Sequence, residues 1–368
     1  MNKLKILSII FVIIGLLTPF SSNAEENKNN SSTFKARVIE ITKTETKERE
    51  DGSFFSQQNL KLLGLDGKYL NKEVEYQGIS DIDVANMLFY KVGDKVYVDM
   101  FKDELGQENF YIVDFARTNH IYFLTIAFIL IVLLVGKLKG LKALMGLSLS
   151  FVIIIKFILP QILSGRNPFF ISLIGSIVIL ALIIYITEGF RRKSHLAIAS
   201  VLISLSATMV LSVIFTKLTK LSGLAQEEAA FLIGLGNSEI NFQGLLLAGF
   251  IIGAIGVLDD IVVGQIETVE RIREANPALS SKKIFNLAYK VGNTHLGAII
   301  NTLFLTYAGA ALPVLMLFVL NQNSGLALER VISTEMISTE IVRTLVGSIG
   351  VMLSMPIATF LAAMKMKR

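Results

Sequence analysis

Apolar and polar positions change rhythm once along the chain, and the change divides it. From Phe34 to Arg117 they alternate. FKARVIEIT, LKLLGLDG, KEVEYQG, DKVYVDM and NFYIVDFAR are short period-two runs, punctuated at Asp66-Gly67, Val92-Gly93-Asp94 and Leu105-Gly106. Side chains that return to one face every second residue make strands. The pattern predicts a small all-β domain over 34–118, an OB-like barrel or a relative of one. From Ile121 the alternation gives way to long apolar runs near Ile121–Gly136, Leu141–Pro160, Phe169–Thr187, His195–Thr216, Phe242–Gly264, Leu296–Leu320 and Ile341–Met364. Each is about the length needed to cross a hydrocarbon core of roughly 30 Å. The fold class expected is a membrane all-α bundle of about seven transmembrane helices over 119–368, preceded by the β domain.

The ends and loops supply an orientation. Residues 1–24 carry Lys3 and Lys5, an apolar run Ile6–Leu17 and a small-x-small exit at Ser22-Asn23-Ala24, the layout of a secretory signal peptide. A polar linker, 25–33, follows. If the β domain is exported, the segments left inside hold 14 of the 20 basic residues after Arg117, including Lys137, Lys139, Arg191, Arg192, Arg271, Lys282 and Lys365. The positive-inside rule then agrees with the signal segment. A multi-pass plasma-membrane protein with a cytoplasmic C-terminus is expected. Two loops exceed simple connections. Ala225–Leu235 reads as a short interfacial or re-entrant helix. Gln265–Lys290 reads as a charged extension of the fifth span to Asn276-Pro277, with a second short helix from about Ser280.

Composition narrows the chemistry. The chain of 368 residues is 52% hydrophobic and contains no cysteine, which removes disulfides, thiol catalysis and thiolate metal sites. His120, His195 and His295 are scattered, and no phosphate loop or hydrolase motif is present. Neither an enzyme nor a cofactor is expected. The β region lacks the interleaved aromatic and basic positions of a single-strand nucleic-acid binder. The expected partners are the bilayer and protons or a small cation.

One stretch concentrates the remaining signal: Gly249–Glu274, GFIIGAIGVLDDIVVGQIETVERIRE. Gly249, Gly253, Gly256, Asp260 and Gly264 recur every three or four residues and so share one helical face. Bare glycine backbones let a second helix approach, which would turn Asp260 into a helix–helix contact. An acid at membrane depth costs about 3 kcal/mol on insertion scales and marks a functional hypothesis. Asp259 beside it makes a pair that cannot both ionise cheaply in a low dielectric. The sixth span offers Gly297 for close packing, with Asn301 and Thr302 as uncharged partners able to hold a carboxyl or a dehydrated cation. Simple helix-to-helix hydrogen bonding is the plainer account of those two residues. His295 stands near that span's start, either interfacial or as a proton relay. Asn237 and Glu239, on the outer side, make a secondary polar cluster or a solvated face. Glu188, Arg191 and Arg192 read as interfacial anchors.

These residues resemble the YibE/F family of bacterial multi-pass membrane proteins. The likeness rests on VGDKVYV…FYIVDFAR, GAIGVLDDIVV and VGNTHLGAIINTLFLTYAGAALPVL. Gly253, Gly256 and Asp260, then Asn301, Thr302, Leu303, Ala308 and Gly309 match its pattern, and the resemblance implies the topology above and a transport-like activity with no set substrate. A weaker local likeness, through the acid and Glu270-Arg271-Ile272-Arg273-Glu274, is to the SecD/SecF proton-driven translocation motors. The function expected is a proton- or cation-coupled transporter or translocation accessory. A non-transporting scaffold or sensor that anchors the β domain is the alternative.

Overall fold

The computed structural model describes residues 32–48, 54–80, 89–103, 106–225, 227–234, 240–321 and 328–366. The signal-like segment, most of the linker, Asn237 and Glu239 lie outside them. The chain forms two compact units that part between Val135 and Gly136.

In the first unit, five strands form one antiparallel sheet: β1 (Ser32–Glu48), β2 (Phe54–Gly64), β3 (Glu73–Gln77), β4 (Lys95–Lys102) and β5 (Glu108–Phe115), in the order β3-β2-β1-β4-β5. Alternation places Phe34, Ala36 and Val38 of β1, Leu60 and Leu62 of β2, and Val96, Val98 and Met100 of β4 in one core. Each fully buried aliphatic side chain contributes about 1.5–3 kcal/mol. The outer strands β3 and β5 touch, and Val74, Tyr76, Phe110 and Ile112 join the same core. Gly64 has to be glycine, because a Cβ there would lie 1.9 Å from the Tyr69 carbonyl oxygen. The five expected strands are present, with one difference of length. β1 and β2 run on as a ladder from Lys43–Asn59 to Glu48–Phe54. That arm includes TKTETKE, which has no apolar alternation to announce it; backbone pairing makes it.

Five stretches among the described residues, the first begun in the sheet's unit and the rest within the membrane unit, are long and apolar enough to cross a bilayer: Thr118–Leu163, Pro168–Glu188, Arg192–Leu218, Phe242–Ala275 and Glu335–Lys365. The first contains α1 (Thr118–Ile153), a wide π turn (Ile154–Ile158) and α2 (Leu159–Leu163). It covers two expected spans, and α1 breaks between them where Lys137 takes φ 48°, ψ −125°. Then come α3 (Pro168–Glu188), α4 (Arg192–Leu218), α5 (Glu227–Gly234), α6 (Phe242–Ala275), α7 (Ser281–Ala310), α8 (Leu312–Asn321), α9 (Leu328–Ile332) and α10 (Glu335–Lys365). The expected sixth span is two pieces, α7 and α8. Pro313 has no N–H to continue the helical ladder, and the helix turns out at Ala311. The helix expected to begin near Ser280 does start there, since the Ser280 hydroxyl caps Lys283 N, but it runs unbroken to Ala310.

Helix α6 is the centre of this unit, packed against α3, α4, α7 and α10. Its inward face is built from large residues, among them Phe250, Ile251, Leu258, Val262 and Ile266. That corrects the sequence expectation. Gly249, Gly253, Gly256 and Gly264 lie on the exposed face together with Asp260, which is exposed rather than enclosed in a helix–helix contact, and a Cβ at 249, 256 or 264 would meet nothing within 4 Å. Lipid tails are as apolar as the bundle interior, so van der Waals fit rather than apolar burial selects the face, and in α6 the bulky face is the one that packs inward. Close small-residue packing occurs elsewhere, between α4 and α10. Ser200, Ser204, Thr208, Ser212 and Thr216 recur every fourth residue of α4 and are all buried. The first four donate to the carbonyl four residues back, at 2.7–2.9 Å. Opposite Thr208 lies Gly350 of α10, where a Cβ would stand 2.1 Å from Thr208 Oγ1.

Candidate membrane-embedded polar site

The site begins with a crossing. Gly292 of α7 has no side chain, and the buried Gln265 of α6 fills the space, with its Nε2 where a Cβ at 292 would be 1.9 Å away. Gln265 Nε2 also donates to Ala288 O at 3.3 Å. This contact fixes α6 against α7 at one level and leaves a cavity of about 330 Å³ beside it. Asp260, Gln265 and Thr268 of α6, His295 of α7 and Met355 of α10 line that cavity. At about 30 Å³ per water it has room for about ten waters. A carboxylate, an imidazole and an amide converging on one space can bind and pass on a proton or a small cation.

The other candidate residues separate from it. Asn301 and Thr302, expected to complete the Asp260 site, are exposed and do not line the cavity; Thr302 Oγ1 donates to Ala298 O at 2.9 Å. They are two turns further along α7 than His295, which brings the latter to the acid's level instead. Gly297 meets no neighbour within 4 Å of a Cβ position. Asp259, next to Asp260 but about 100° round the helix, is within electrostatic reach of Glu188 at the end of α3. Its Oδ1 is buried with no hydrogen-bond partner. The two acids of the pair therefore serve different surroundings.

Sequence reasoning missed a polar hub two to three turns beyond Asp260 toward the charged end of α6. Lys193, the second residue of α4, has a side chain only 10% exposed. Its Nζ reaches Glu188 at 3.0 Å, Glu267 at 2.9 Å and Glu270 at 3.2 Å. Glu188 is thus a buttress between helices rather than a simple interfacial anchor. Arg271 pairs with Glu267 and Glu274 on the same tail, and Arg273 Nη2 donates to Ala363 O of α10 at 2.7 Å. Glu267 and Glu270 sit seven and ten residues beyond Asp260, with Asp259 on the preceding turns. That spacing was the available signal. At the other end of the bundle, Glu335 of α10 accepts from Ser222 N, Ser222 Oγ and Gly223 N at 2.5–2.9 Å, holding the turn after α4. Within α10, Arg343 pairs with Glu340 at 3.0 Å and stacks over Phe250.

Long apolar helices packed round α6 define a multi-pass α-helical membrane protein. Residues 124–368 match the family model described as YibE/F-like protein, and the chain belongs to the YibE/F family. The match starts inside α1, so the sheet is outside it. No curated protein and no solved structure matches the chain.

Proposed function

We propose that the protein is a plasma-membrane transporter or translocation accessory driven by protons or a small cation, with Asp260 as the coupling group. One observation carries this reading: an acid in the middle of a long apolar helix faces a cavity shared with His295, Gln265 and Thr268. An isolated carboxylate in hydrocarbon costs about 3 kcal/mol or more. A wet cavity lowers that cost and gives a proton or cation a place to arrive and leave. Asp259 and the Lys193 hub lie on the α3 and α4 side and would support the helix carrying the acid. Two further features belong to the same reading. On this reading the chain passes the membrane seven times and the sheet is an OB-like barrel outside the cell; the break at Lys137, the join of α7 to α8 and the touching of β3 and β5 support it. The C-terminus is then cytoplasmic, and the chain is not an enzyme.

The test needs no knowledge of the cargo. Solute contents of cells are compared, without preselection, between wild type, a strain lacking the protein and Asp260→Asn. The variant should reproduce the profile of the strain without protein while its abundance and thermal stability stay normal. A wild-type profile from a stably expressed Asp260→Asn protein would overturn the coupling role.

A further inference from the structure

Two cavities open on the same pair of helices, at different depths. The one at Asp260 is lined on α7 by Leu296 and Ile299 and on α10 by Met355. A second, of about 210 Å³, lies nearer the opposite end of the bundle, with Phe304 and Tyr307 of α7 and Glu340 and Thr344 of α10 in its walls. At about 30 Å³ per water it has room for about seven waters. Its charge is a pair, Glu340 held by Arg343 at 3.0 Å. The Tyr307 hydroxyl turns toward α6, where it would lie 3.6 Å from a Cβ at Gly253. Gly253 shares a helical face with Asp260, about two turns away.

The helical repeat lines the two cavities up. On α7, Leu296, Ile299, Leu303 and Tyr307 fall on one face. The first two line the Asp260 cavity, Tyr307 lines the other, and Leu303 between them is buried. On α10, Thr344, Ser348, Val351 and Met355 share a face in the same way. Thr344 and Met355 reach opposite cavities, and Ser348 and Val351 between them are buried. Helices α7 and α10 pack on each other, and Leu303, Val351 and Met355 belong to one core. A short, mainly apolar layer therefore separates the cavities: Ile299 to Tyr307 is about 12 Å at 1.5 Å per residue.

That layer contains a spare hydroxyl. Ser348 is only 5% exposed, and its Oγ has no hydrogen-bond partner among the described residues. A hydroxyl both donates and accepts, so it can hand a proton from one water to another. A dehydrated divalent cation needs about six oxygens, which Leu303 and Val351 cannot supply. We propose that protons cross along the α7–α10 seam. The Tyr307–Glu340 cavity is the far mouth of the path that begins at Asp260 and His295, Leu303 with Val351 is the closed gate between them, and Ser348 is the step through it. This rests on the transport reading above and narrows its coupled ion to the proton.

Because the chain has no cysteine, single thiols can be placed at will. Thr344→Cys and Ser348→Cys, each close in size to the residue replaced, are made in the full-length protein and reconstituted in liposomes. Both are treated with a methanethiosulfonate cation, which attacks thiolate and so reacts only where water reaches. Position 344 should react and 348 should not, and adding Leu303→Ala should expose 348. An unreactive thiol at 344 means a lipid-filled gap and overturns the proposal. For flux, liposomes enclosing a pH-sensitive dye are held under a potassium diffusion potential. Leu303→Ala should conduct protons several-fold faster than wild type, while Leu305→Ala, at an exposed position of the same helix, should match wild type. No added conductance from a Leu303→Ala protein with a normal melting temperature overturns the path, and so does an equal gain in sodium conductance. Should Leu303→Ala not fold, the reaction at 344 alone decides. Asp260→Asn in the Leu303→Ala protein separates the two readings. A leak that persists keeps the path and removes Asp260 from it; no leak from Leu303→Ala, with Asp260→Asn still failing in cells, removes the path and keeps the acid.

Discussion

The structure separates two kinds of glycine, and that difference can be measured. Gly350 of α10 is placed so that a Cβ would be 2.1 Å from Thr208 Oγ1 and 3.2 Å from Thr208 Cβ and Cγ2. Ordinary contact begins near 3.4 Å, so Gly350→Ala forces the α4–α10 seam apart by about an ångström or rotates Thr208 out of a buried rotamer. Overpacking of this kind costs about 1–3 kcal/mol. Alanine's better helix propensity returns about 1 kcal/mol of that. A net loss of up to about 2 kcal/mol is expected, seen as a melting temperature lower by up to several degrees in detergent. Thr208→Ala removes the two atoms that clash with a methyl and leaves one at 3.2 Å, so adding it to Gly350→Ala should restore most of the loss. On α6, Gly249→Ala and Gly256→Ala meet nothing within 4 Å and should be neutral or slightly stabilising. The measurement is a double-mutant cycle of melting temperatures for Gly350→Ala and Thr208→Ala, with the two α6 variants alongside. Additive losses in the cycle, or a Gly256→Ala protein as unstable as Gly350→Ala, would refute the assignment of the packing seam.

Lys193→Met leaves Glu188, Glu267 and Glu270 without their shared cation. Because those carboxylates are about one-third exposed, about 2–3 kcal/mol of stability should be lost rather than the larger value of a fully buried pair, read as an earlier melt in detergent. In the sheet, the Lys68 hydrogen bond first, then that of Tyr69, holds the Glu108 carboxyl below its usual range. A lowered folded-state value means stability present above the ordinary carboxylate range and lost as pH falls through the folded one. The protection factors of the Gly67–Tyr69 turn, with the pH dependence of intrinsic amide exchange divided out, should therefore fall on acidification below about pH 4, and Glu108→Gln should erase that acid limb; an unchanged limb would exclude Glu108 as its source. Glu335→Gln should weaken the charged hydrogen bonds to the Ser222–Gly223 turn, by about 1.5–3 kcal/mol, and make cleavage near Leu224 by added protease faster; an unaltered cleavage rate would show that the turn is held by other contacts.

What the sequence made legible was composition along the chain, and what it hid was direction around each helix. The strands could be read because alternation assigns each side chain to a face, and Phe34, Ala36 and Val38 reach the core that their spacing implies. The β1–β2 arm could not, since a ladder of Thr, Lys and Glu is held by backbone bonds that leave no trace in hydropathy. The apolar runs found the helices for the same reason that they hid the seams. In a segment apolar on all sides, three- and four-residue spacing identifies several faces, and nothing local says which one is buried. Gly249–Gly264 and Ser200–Thr216 are equally periodic, yet only the second is enclosed, and α4 leaves Ile203, Val210, Ile214 and Leu218 exposed, so bulk alone does not choose the buried face. The acid was found by its cost in hydrocarbon, a property of one residue. Its neighbours were not, because Gln265 meets Gly292 only through the crossing of two helices separated by a charged loop. His295 was recognised as a possible relay but set apart from Asp260, while Asn301 and Thr302 were set beside it, since polarity in a sequence carries no azimuth. A residue's chemistry can thus be judged alone, whereas its partner depends on which faces the helices turn toward one another. The cavity at Asp260 exists because Gln265 crosses on Gly292, and filling position 292 with a methyl should disturb that level of the α6–α7 contact before it disturbs the acid itself.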